Sequence, residues 1–384
     1  MGQPTEERPE GFLLWIHVSN QVDAGCAAAL AAELSSLRDE PVASLVTSTE
    51  NAAAFSAVSK AALHQLVPGE TSGSVQRFIE HWHPDVGVII GPPDRPTLIS
   101  ESAKSGVPLF LAVADRHDLT DQGRLSIQFA ELPTLLKGVI VVDVEEQKIL
   151  VGHGFSAHKV AAAGLIGDTA LAPPCDEDEC DAIARSLAGR PVWLACNVLV
   201  DEIPAIEIAQ RRTIRAAHRL LLIIIPRNPE DGGAIAAKLE GHGWRTALRS
   251  TGGEPEENVQ VYIADTPDDL GLWYRLSPIT YLGGSFDENT PVSDPFEPAS
   301  LGSAVVHGPE VGGSVPRIQK LQRAEASLLV QEPTELGDAV FSLLSPDKAA
   351  KLAHAGWRVT TEAAPAVEAL ATMIHETLEE EELA

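Results

Sequence analysis

Three loops that follow apolar runs carry the side chains best suited to chemistry, and the first contains Arg227. Residues 225–229 read Ile-Pro-Arg-Asn-Pro and come directly after the run LLLIII. Arginine presents a planar fork of donors that suits bidentate recognition of a phosphate. The loop therefore predicts an anion-binding arginine at the end of a strand. A surface turn with a solvated arginine is the alternative reading.

The second loop, residues 263–270, reads Ile-Ala-Asp-Thr-Pro-Asp-Asp-Leu. It follows a predicted strand and opens a predicted helix. We expect Asp265 or Thr266 to cap that helix, whose free N–H groups could hold an anion. Capping alone would also account for both residue types.

The third loop pairs Gly283-Gly284-Ser285 with the segment Asp-Pro-Phe-Glu-Pro-Ala at 294–299. Paired glycines allow the backbone to approach a ligand closely. Glu297, at the start of an apparent helix, could accept hydrogen bonds from the two hydroxyls of a ribose. Alternatively, Glu297 is a first-turn residue that interacts favourably with the helix dipole.

Strands and helices alternate along the chain and must position these loops. Continuous apolar runs such as FLLWIHV indicate strands buried on both faces, and their alternation with helical patterns predicts βαβ units and parallel sheets. The fold class is therefore α/β, with two Rossmann-like, doubly wound domains that face a cleft. The predicted strands are 12–18, 41–47, 85–90, 107–113, 138–142, 160–165, 191–196, 220–225, 244–248, 259–263, 279–282 and 304–306.

A proline-rich, acidic stretch separates two such series and predicts the domain organisation. We expect an N-terminal acceptor-side domain at 12–170, a linker at 171–187 and a C-terminal nucleotide-donor domain at 188–360. A C-terminal helix at 361–384 would return to the first domain. Because ligands bind outside the carboxyl ends of strands in such sheets, the three loops are placed for binding.

Composition narrows the partners. The chain of 384 residues has 28 Lys+Arg and 55 Asp+Glu, a net charge of −27, which argues against nucleic-acid binding and against anionic membranes. Any membrane contact is expected to be peripheral. The acidic N-terminus is not a signal peptide and the four cysteines show neither zinc spacing nor a disulfide framework. We predict a cytoplasmic protein without a metal site or cofactor.

The motifs together resemble the 3-deoxy-D-manno-octulosonic acid (Kdo) transferases, GT-B glycosyltransferases of lipopolysaccharide biosynthesis in the Gram-negative cell envelope. The family patterns PRHPER, GDTMGELGLLY, VGGS and GGHNPLEPA correspond to PRNPE at 226–230, DTPDDLGLWY at 265–274, LGGS at 282–285 and DPFEPA at 294–299. WIHVSNQV at 15–22 and RFIEHWHPDVGVII at 77–90 extend a looser match into the N-terminal half. The resemblance implies transfer of Kdo from CMP-Kdo to a lipid A precursor at the cytoplasmic face of the inner membrane.

The resemblance also implies which residues bind the CMP of the donor. Pro226 and Arg227 match the family's Pro-Arg, and Glu297 matches its Glu. Asp268 and Asp269 fall in the changed Met-Gly-Glu loop, and Asp294 stands where the family has Asn. The complete predicted set is Pro226, Arg227, Asp268, Asp269, Gly284, Ser285, Asp294 and Glu297.

The catalytic side departs from the family pattern. In HAxSxGE the Glu is the general base, and Gln21 falls in its position; an amide cannot take a proton from an attacking hydroxyl. The family's lysine falls at Gly167, and both loop glutamates are replaced in 91–97. Asp23 or Asp94 could substitute as the base.

Three functions are compatible with these departures. The first is a divergent Kdo transferase with weakened activity. The second is a non-catalytic paralogue that binds CMP or a protein partner and regulates envelope synthesis. The third is another GT-B enzyme, such as a nucleotide-sugar epimerase, which would require acid–base residues in the C-terminal domain. His307 is the residue that fits that third function.

Overall fold

The computed structural model describes residues 6–19, 25–49, 62–115, 131–170, 172–267 and 269–383. The chain divides into two compact units. Unit 1 comprises Met1–Thr169 together with Thr361–Ala384, and unit 2 comprises Ala170–Thr360.

Unit 1 is built on a seven-stranded sheet with the order β3-β2-β1-β4-β5-β6-β7. Every registered strand pair is parallel. The strands are β1 (Phe12–Val18), β2 (Val42–Ser48), β3 (Leu63–Leu66), β4 (Val86–Ile90), β5 (Leu109–Ala112), β6 (Gly138–Val141) and β7 (Val160–Ala162). The described helices are α1 (Cys26–Arg38), α2 (Ser72–Trp82), α3 (Pro96–Lys104), α4 (Leu132–Leu135), α5 (Val144–Gly152) and, from the chain's end, α14 (Ala364–Glu382).

Two apolar layers cover the two faces of this sheet. On one face Trp15 packs with Phe78, their ring centroids 5.2 Å apart, among a cluster of buried side chains from α2 and α3. On the other face the apolar side of α14, including Leu370 and Ile374, packs with Leu30 of α1. Burial on both faces explains why the strands of this sheet read as continuous apolar runs.

Unit 2 carries a second seven-stranded sheet with the order β10-β11-β9-β8-β12-β13-β14. Its registered pairs are also parallel. The strands are β8 (Val192–Val198), β9 (Leu221–Pro226), β10 (Thr246–Leu248), β11 (Val261–Ile263), β12 (Ile279–Leu282), β13 (Ala304–His307) and β14 (Ser327–Leu329). The helices are α6 (Glu177–Leu187), α7 (Ile203–Thr213), α8 (Gly232–Gly241), α9 (Leu270–Leu276), α10 (Phe296–Ser300), α11 (Val315–Arg323), α12 (Leu336–Leu343) and α13 (Pro346–Thr361).

The two parallel sheets confirm the predicted fold class, α/β with two Rossmann-like, doubly wound domains. In unit 2 the strand order reverses at β8, because β8 pairs with β9 on one side and with β12 on the other. In doubly wound folds the carboxyl ends of the strands at such a switch point line the ligand site. The predicted linker, by contrast, needs correction. Helix α6 fills most of 171–187, capped by Asp176 through the N–H of Glu179 at 3.1 Å.

Candidate functional site

An irregularity in β8 shapes the switch point of unit 2. The register with β9 shifts between Ala195 and Val198, and Asn197 adopts a left-handed backbone with φ of 59°. Such a conformation is uncommon for a residue other than glycine. It turns the Asn197 side chain so that Nδ2 donates to the carbonyl oxygen of Pro291 at 3.1 Å.

Arg227 reaches the same carbonyl from β9. Its Nη1 donates to the carbonyl oxygen of Pro291 at 3.0 Å, and its backbone N–H donates to that of Val198 at 2.9 Å. Pro226 is the last residue of β9, so the strand fixes the position from which the arginine projects. The guanidinium retains further donors for an anion, since it carries five N–H groups in all.

A cavity of about 180 Å³ lies at the carboxyl ends of β8, β9 and β11. Three of the predicted nucleotide-binding residues line it, namely Pro226, Arg227 and Asp269. The other lining residues are Cys196, Asn197, Ile225, Pro229, Ala264, Thr266, Pro267, Leu270, Trp273 and Ser293. Asp268, the predicted neighbour of Asp269 in the second loop, lies outside the described residues.

The glycine-rich loop contributes to architecture. The Gly284 N–H donates to Oε2 of Glu202 at 2.9 Å. Ser285 is fully buried; its hydroxyl donates to the Leu282 carbonyl at 2.6 Å and accepts from the Gly308 N–H at 2.8 Å. A Cβ at Gly283 would lie 2.8 Å from the carbonyl oxygens of Cys196 and Asn197. The glycine is therefore required for close packing against the irregular end of β8. Neither Gly284 nor Ser285 lines the cavity.

Asp294 and Glu297 flank the start of α10. Asp294 accepts the N–H of Phe296 at 3.0 Å and forms an ion pair with Arg317. Burial, with a smaller contribution from Asp294, raises the pKa of Glu297 to about 7, while Arg317 opposes the shift. A carboxyl that titrates near neutral pH is a functional candidate, although neither Glu297 nor Asp294 lines the cavity.

A buried chain of hydroxyl and thiol groups joins this region to the cavity floor. The Cys196 sulfur lies 3.2 Å from the Tyr274 hydroxyl and 3.5 Å from that of Ser293. Burial raises the pKa of the Cys196 thiol to about 11, with the nearby Glu297 acting in the same direction. The thiol is therefore protonated at neutral pH, and the floor of the cavity adds no negative charge of its own.

The loop before α9 differs from the prediction in its capping. Asp269, not Asp265 or Thr266, is the N-cap residue of α9, and it makes no side-chain cap bond. Asp265 instead accepts from the N–H of Ser250 at 2.9 Å and from its hydroxyl at 2.6 Å. Sequence reasoning also missed Arg249, which contacts both Thr266 and Asp269. Its position directly after β10 was the available signal.

In unit 1, Gln21 and Asp23 lie outside the described residues, so their predicted roles remain predictions. On β1, burial lowers the pKa of His17 to about 3, and its Nδ1 lies 3.2 Å from the carbonyl oxygen of Thr47. At the start of α1, a Cβ on Gly25 would lie 1.9 Å from Oδ1 of Asp168. A carboxylate from the loop after β7 therefore sits directly against the segment that follows Gln21 and Asp23.

The structure also bears on His307, on metal binding and on membrane-spanning helices. His307 is buried at 1% exposure and is absent from the cavity lining, so the structure gives no acid–base support to the epimerase reading. Among the described residues, no group of three or more His, Cys, Asp or Glu side chains could hold a metal ion. Within the same ranges, no helix is long and apolar enough to cross a bilayer.

The amino-acid sequence is similar to known Kdo transferases. Residues 1–166 match the model of a family described as 3-deoxy-D-manno-octulosonic-acid transferase (kdotransferase). The chain is 25% identical over 358 residues to a probable mitochondrial 3-deoxy-D-manno-octulosonic acid transferase of Arabidopsis thaliana, covering 90% of this chain and 80% of that protein. It is 25% identical over 329 residues to the 3-deoxy-D-manno-octulosonic acid transferase of Haemophilus influenzae, covering 82% and 75%.

Among solved structures, the C-terminal CMP-Kdo binding domain of WaaA from Acinetobacter baumannii matches with a TM-score of 0.45 and 24% identity, over 47% of this chain and 96% of that one. The MurG protein of Acinetobacter baumannii matches with a TM-score of 0.45 and 13% identity, over 95% and 100%. At this level of similarity neither structure bears on function. The family and sequence matches confirm the resemblance that the motifs indicated.

Proposed function

Because the chain is related to the Kdo transferases along most of its length, we propose that it is a glycosyltransferase that moves Kdo from CMP-Kdo to a lipid A precursor, with turnover below that of a typical family member. It would work in the cytoplasm, docking peripherally at the inner face of the inner membrane during transfer.

The observation that carries the proposal is the cavity at the switch point of unit 2. Arg227 at its edge supplies charge-assisted donors for the phosphate of CMP, and its backbone is fixed by β8. Glu297 does not line the cavity, but its charge acts on Cys196, which does. We assign the phosphate to Arg227 and the ribose hydroxyls to Glu297.

The remaining predicted residues have indirect roles in this proposal. Gly284 and Ser285 use their polar groups to hold the loop near β8. Asp294 is tied to Arg317 and positions the first turn of α10. Asp269 lines the cavity, but its Oδ2 accepts a hydrogen bond from Arg249, so it is not assigned a direct contact with the ligand.

Transfer also needs a base that takes the proton of the acceptor hydroxyl, and here the proposal predicts a loss of rate. Gln21 stands in the family's base position. Removing a positioned general base typically costs about 10²–10⁴ in rate. We propose that Asp23 is the substitute base, because it lies in the same segment before α1.

A second function rests on the same replacement of Glu by Gln21. A non-catalytic paralogue would keep the nucleotide site and use CMP binding, or a protein partner, to regulate envelope synthesis. The two functions share the cavity in unit 2 and differ only in turnover.

Two measurements on the purified protein test the proposal together. Isothermal titration calorimetry with CMP tests the donor site, and incubation with CMP-Kdo and the lipid A precursor lipid IVA tests transfer. Binding and slow transfer support the enzyme. Binding without transfer supports the non-catalytic paralogue, and absence of binding refutes the assignment of the cavity to CMP.

A further inference from the structure

The cavity assigned to CMP carries an acidic side chain that would oppose a phosphate. Asp269 lines it, as does the neutral Thr266 of the same loop. Like charges close together in a partly buried site disfavour binding by several-fold or more. An anion can therefore enter only if the charge of Asp269 is compensated.

Arg249 supplies that compensation from outside the cavity. Its Nε lies 2.7 Å from Oδ2 of Asp269 and 2.9 Å from the Thr266 hydroxyl oxygen. Its guanidinium carbon lies 5.2 Å from the ring centroid of Trp273, another lining residue. A single arginine thus contacts three residues of one cavity wall, although it does not line the cavity itself.

Arg249 is also held by a residue on the side that faces away from the cavity. Its Nη2 donates to Oε1 of Glu179 in α6 at 2.8 Å, and its side chain is only 16% exposed. The segment after it is fixed, because the N–H and hydroxyl of Ser250 both donate to Asp265. Burial and multiple partners make this ion-pair cluster less sensitive to solvent screening than an exposed pair.

We propose that Arg249 is a positioning residue that makes the cavity selective for a phosphorylated ligand by neutralising Asp269 in the cavity wall. This inference rests on the assignment of the cavity to CMP. It predicts a dependence on ligand charge, since removing the positive charge leaves Asp269, which lines the cavity, uncompensated beside the phosphate. The affinity for an uncharged nucleoside should not depend on that charge.

The test compares CMP with cytidine by calorimetry on the full-length protein. Arg249→Met should weaken CMP binding about 10-fold and change cytidine binding by less than about threefold. Adding Asp269→Asn to this variant should restore most of the CMP affinity, and Arg249→Lys should retain the CMP preference. The matched control is Arg245→Met, because Arg245 is an exposed arginine at the amino end of β10. This variant should bind CMP and cytidine as the unmodified protein does.

The outcomes separate this inference from the proposed function. If the unmodified protein binds neither ligand, both are refuted. If it binds CMP, but Arg249→Met weakens CMP and cytidine equally or Asp269→Asn fails to rescue, Arg249 has only a structural role and this inference alone is wrong. Should Arg249→Met not fold, Asp269→Asn alone decides, because it should strengthen CMP binding about threefold with cytidine unchanged. Weaker CMP binding by that variant would overturn the inference.

Discussion

Arg227 donates from Nη1 to the carbonyl oxygen of Pro291 at 3.0 Å, the same oxygen that accepts from Nδ2 of Asn197 at 3.1 Å. One backbone carbonyl therefore ties the end of β9, the irregular end of β8 and the loop before α10 together. The guanidinium is oriented before any ligand arrives, which reduces the conformational entropy lost on binding.

Replacing Arg227 should therefore remove nucleotide affinity. Losing a charge-assisted hydrogen bond costs about 1.5–3 kcal/mol, so Arg227→Ala should weaken CMP binding by about 10–100-fold in calorimetry. The matched control is Arg215→Ala. Arg215 is exposed and precedes the amino end of β9, whereas Arg227 follows its carboxyl end, so the Arg215 variant should bind CMP normally. Equal affinities for the two variants would count against Arg227 as the phosphate ligand.

Replacing Glu297 should weaken binding of the ribose. Glu297→Ala should raise the Kd for CMP by about 10–100-fold, because a carboxylate accepts stronger hydrogen bonds than the water that replaces it. Cytidine is the better ligand for a pH profile, because it carries no phosphate that titrates in the same range. The affinity for cytidine should rise as the pH increases through about 7, the pKa of Glu297. The isosteric Glu297→Gln variant should lose this pH dependence, and a pH profile that persists in that variant would contradict the ribose assignment.

The raised pKa of Glu297 also predicts a stability effect without any ligand. A carboxyl whose pKa of about 7 in the folded protein exceeds its ordinary value of 4.5 favours the folded state at low pH and loses that contribution as the pH rises between these values. Glu297→Gln should therefore stabilise the protein at about pH 8, by on the order of 1–3 kcal/mol, and much less at about pH 5. Thermal unfolding at both pH values measures this. A difference that does not grow with pH would show that Glu297 is not held in its protonated form.

Membrane association should be peripheral. With 28 Lys+Arg against 55 Asp+Glu, the protein is repelled by anionic lipid headgroups. After cell fractionation, we expect washing with moderate salt to release most of the protein from membrane pellets. Retention of most of it in washed pellets would contradict the prediction.

Sequence patterns predicted the long apolar strands well, because burial on both faces leaves a continuous signal, as in FLLWIHV at β1. They missed β3 and β14, which have only four and three residues and include partly exposed positions. The acidic segment at 171–187 has the pattern of a linker, although it belongs to unit 2, because helix α6 buries only Leu187 and presents a charged surface. Short or highly charged elements depend on tertiary contacts that periodicity does not report.

The candidate site was only partly predictable for a similar reason. Arg227 follows the strongest strand and was identified from that position. Arg249 and Glu202 act through partners far away in sequence, namely Glu179, Tyr281 and Gly284. Such pairings depend on how strands order within the sheet, which the local sequence does not specify.

Two variants test which residue is the base of the transfer reaction. Gln21→Glu should not restore a full family rate, because Gly91, Pro93 and Gly167 also depart from the family pattern. Asp23→Asn should abolish transfer if Asp23 is the substitute base. Rates are measured as Kdo-lipid product formed per unit time at saturating donor. Transfer that survives replacement of both Gln21 and Asp23 would show that the base lies elsewhere.

The most direct test of the central claim is transfer of Kdo from CMP-Kdo to lipid IVA by the purified protein, with product quantified by mass spectrometry. We predict product formation about 10²–10⁴ slower than that of a family member with Glu at the base position, and its loss in Arg227→Ala but not in Arg215→Ala. No product at any protein concentration, with CMP binding intact, would contradict the enzyme assignment and favour the non-catalytic paralogue.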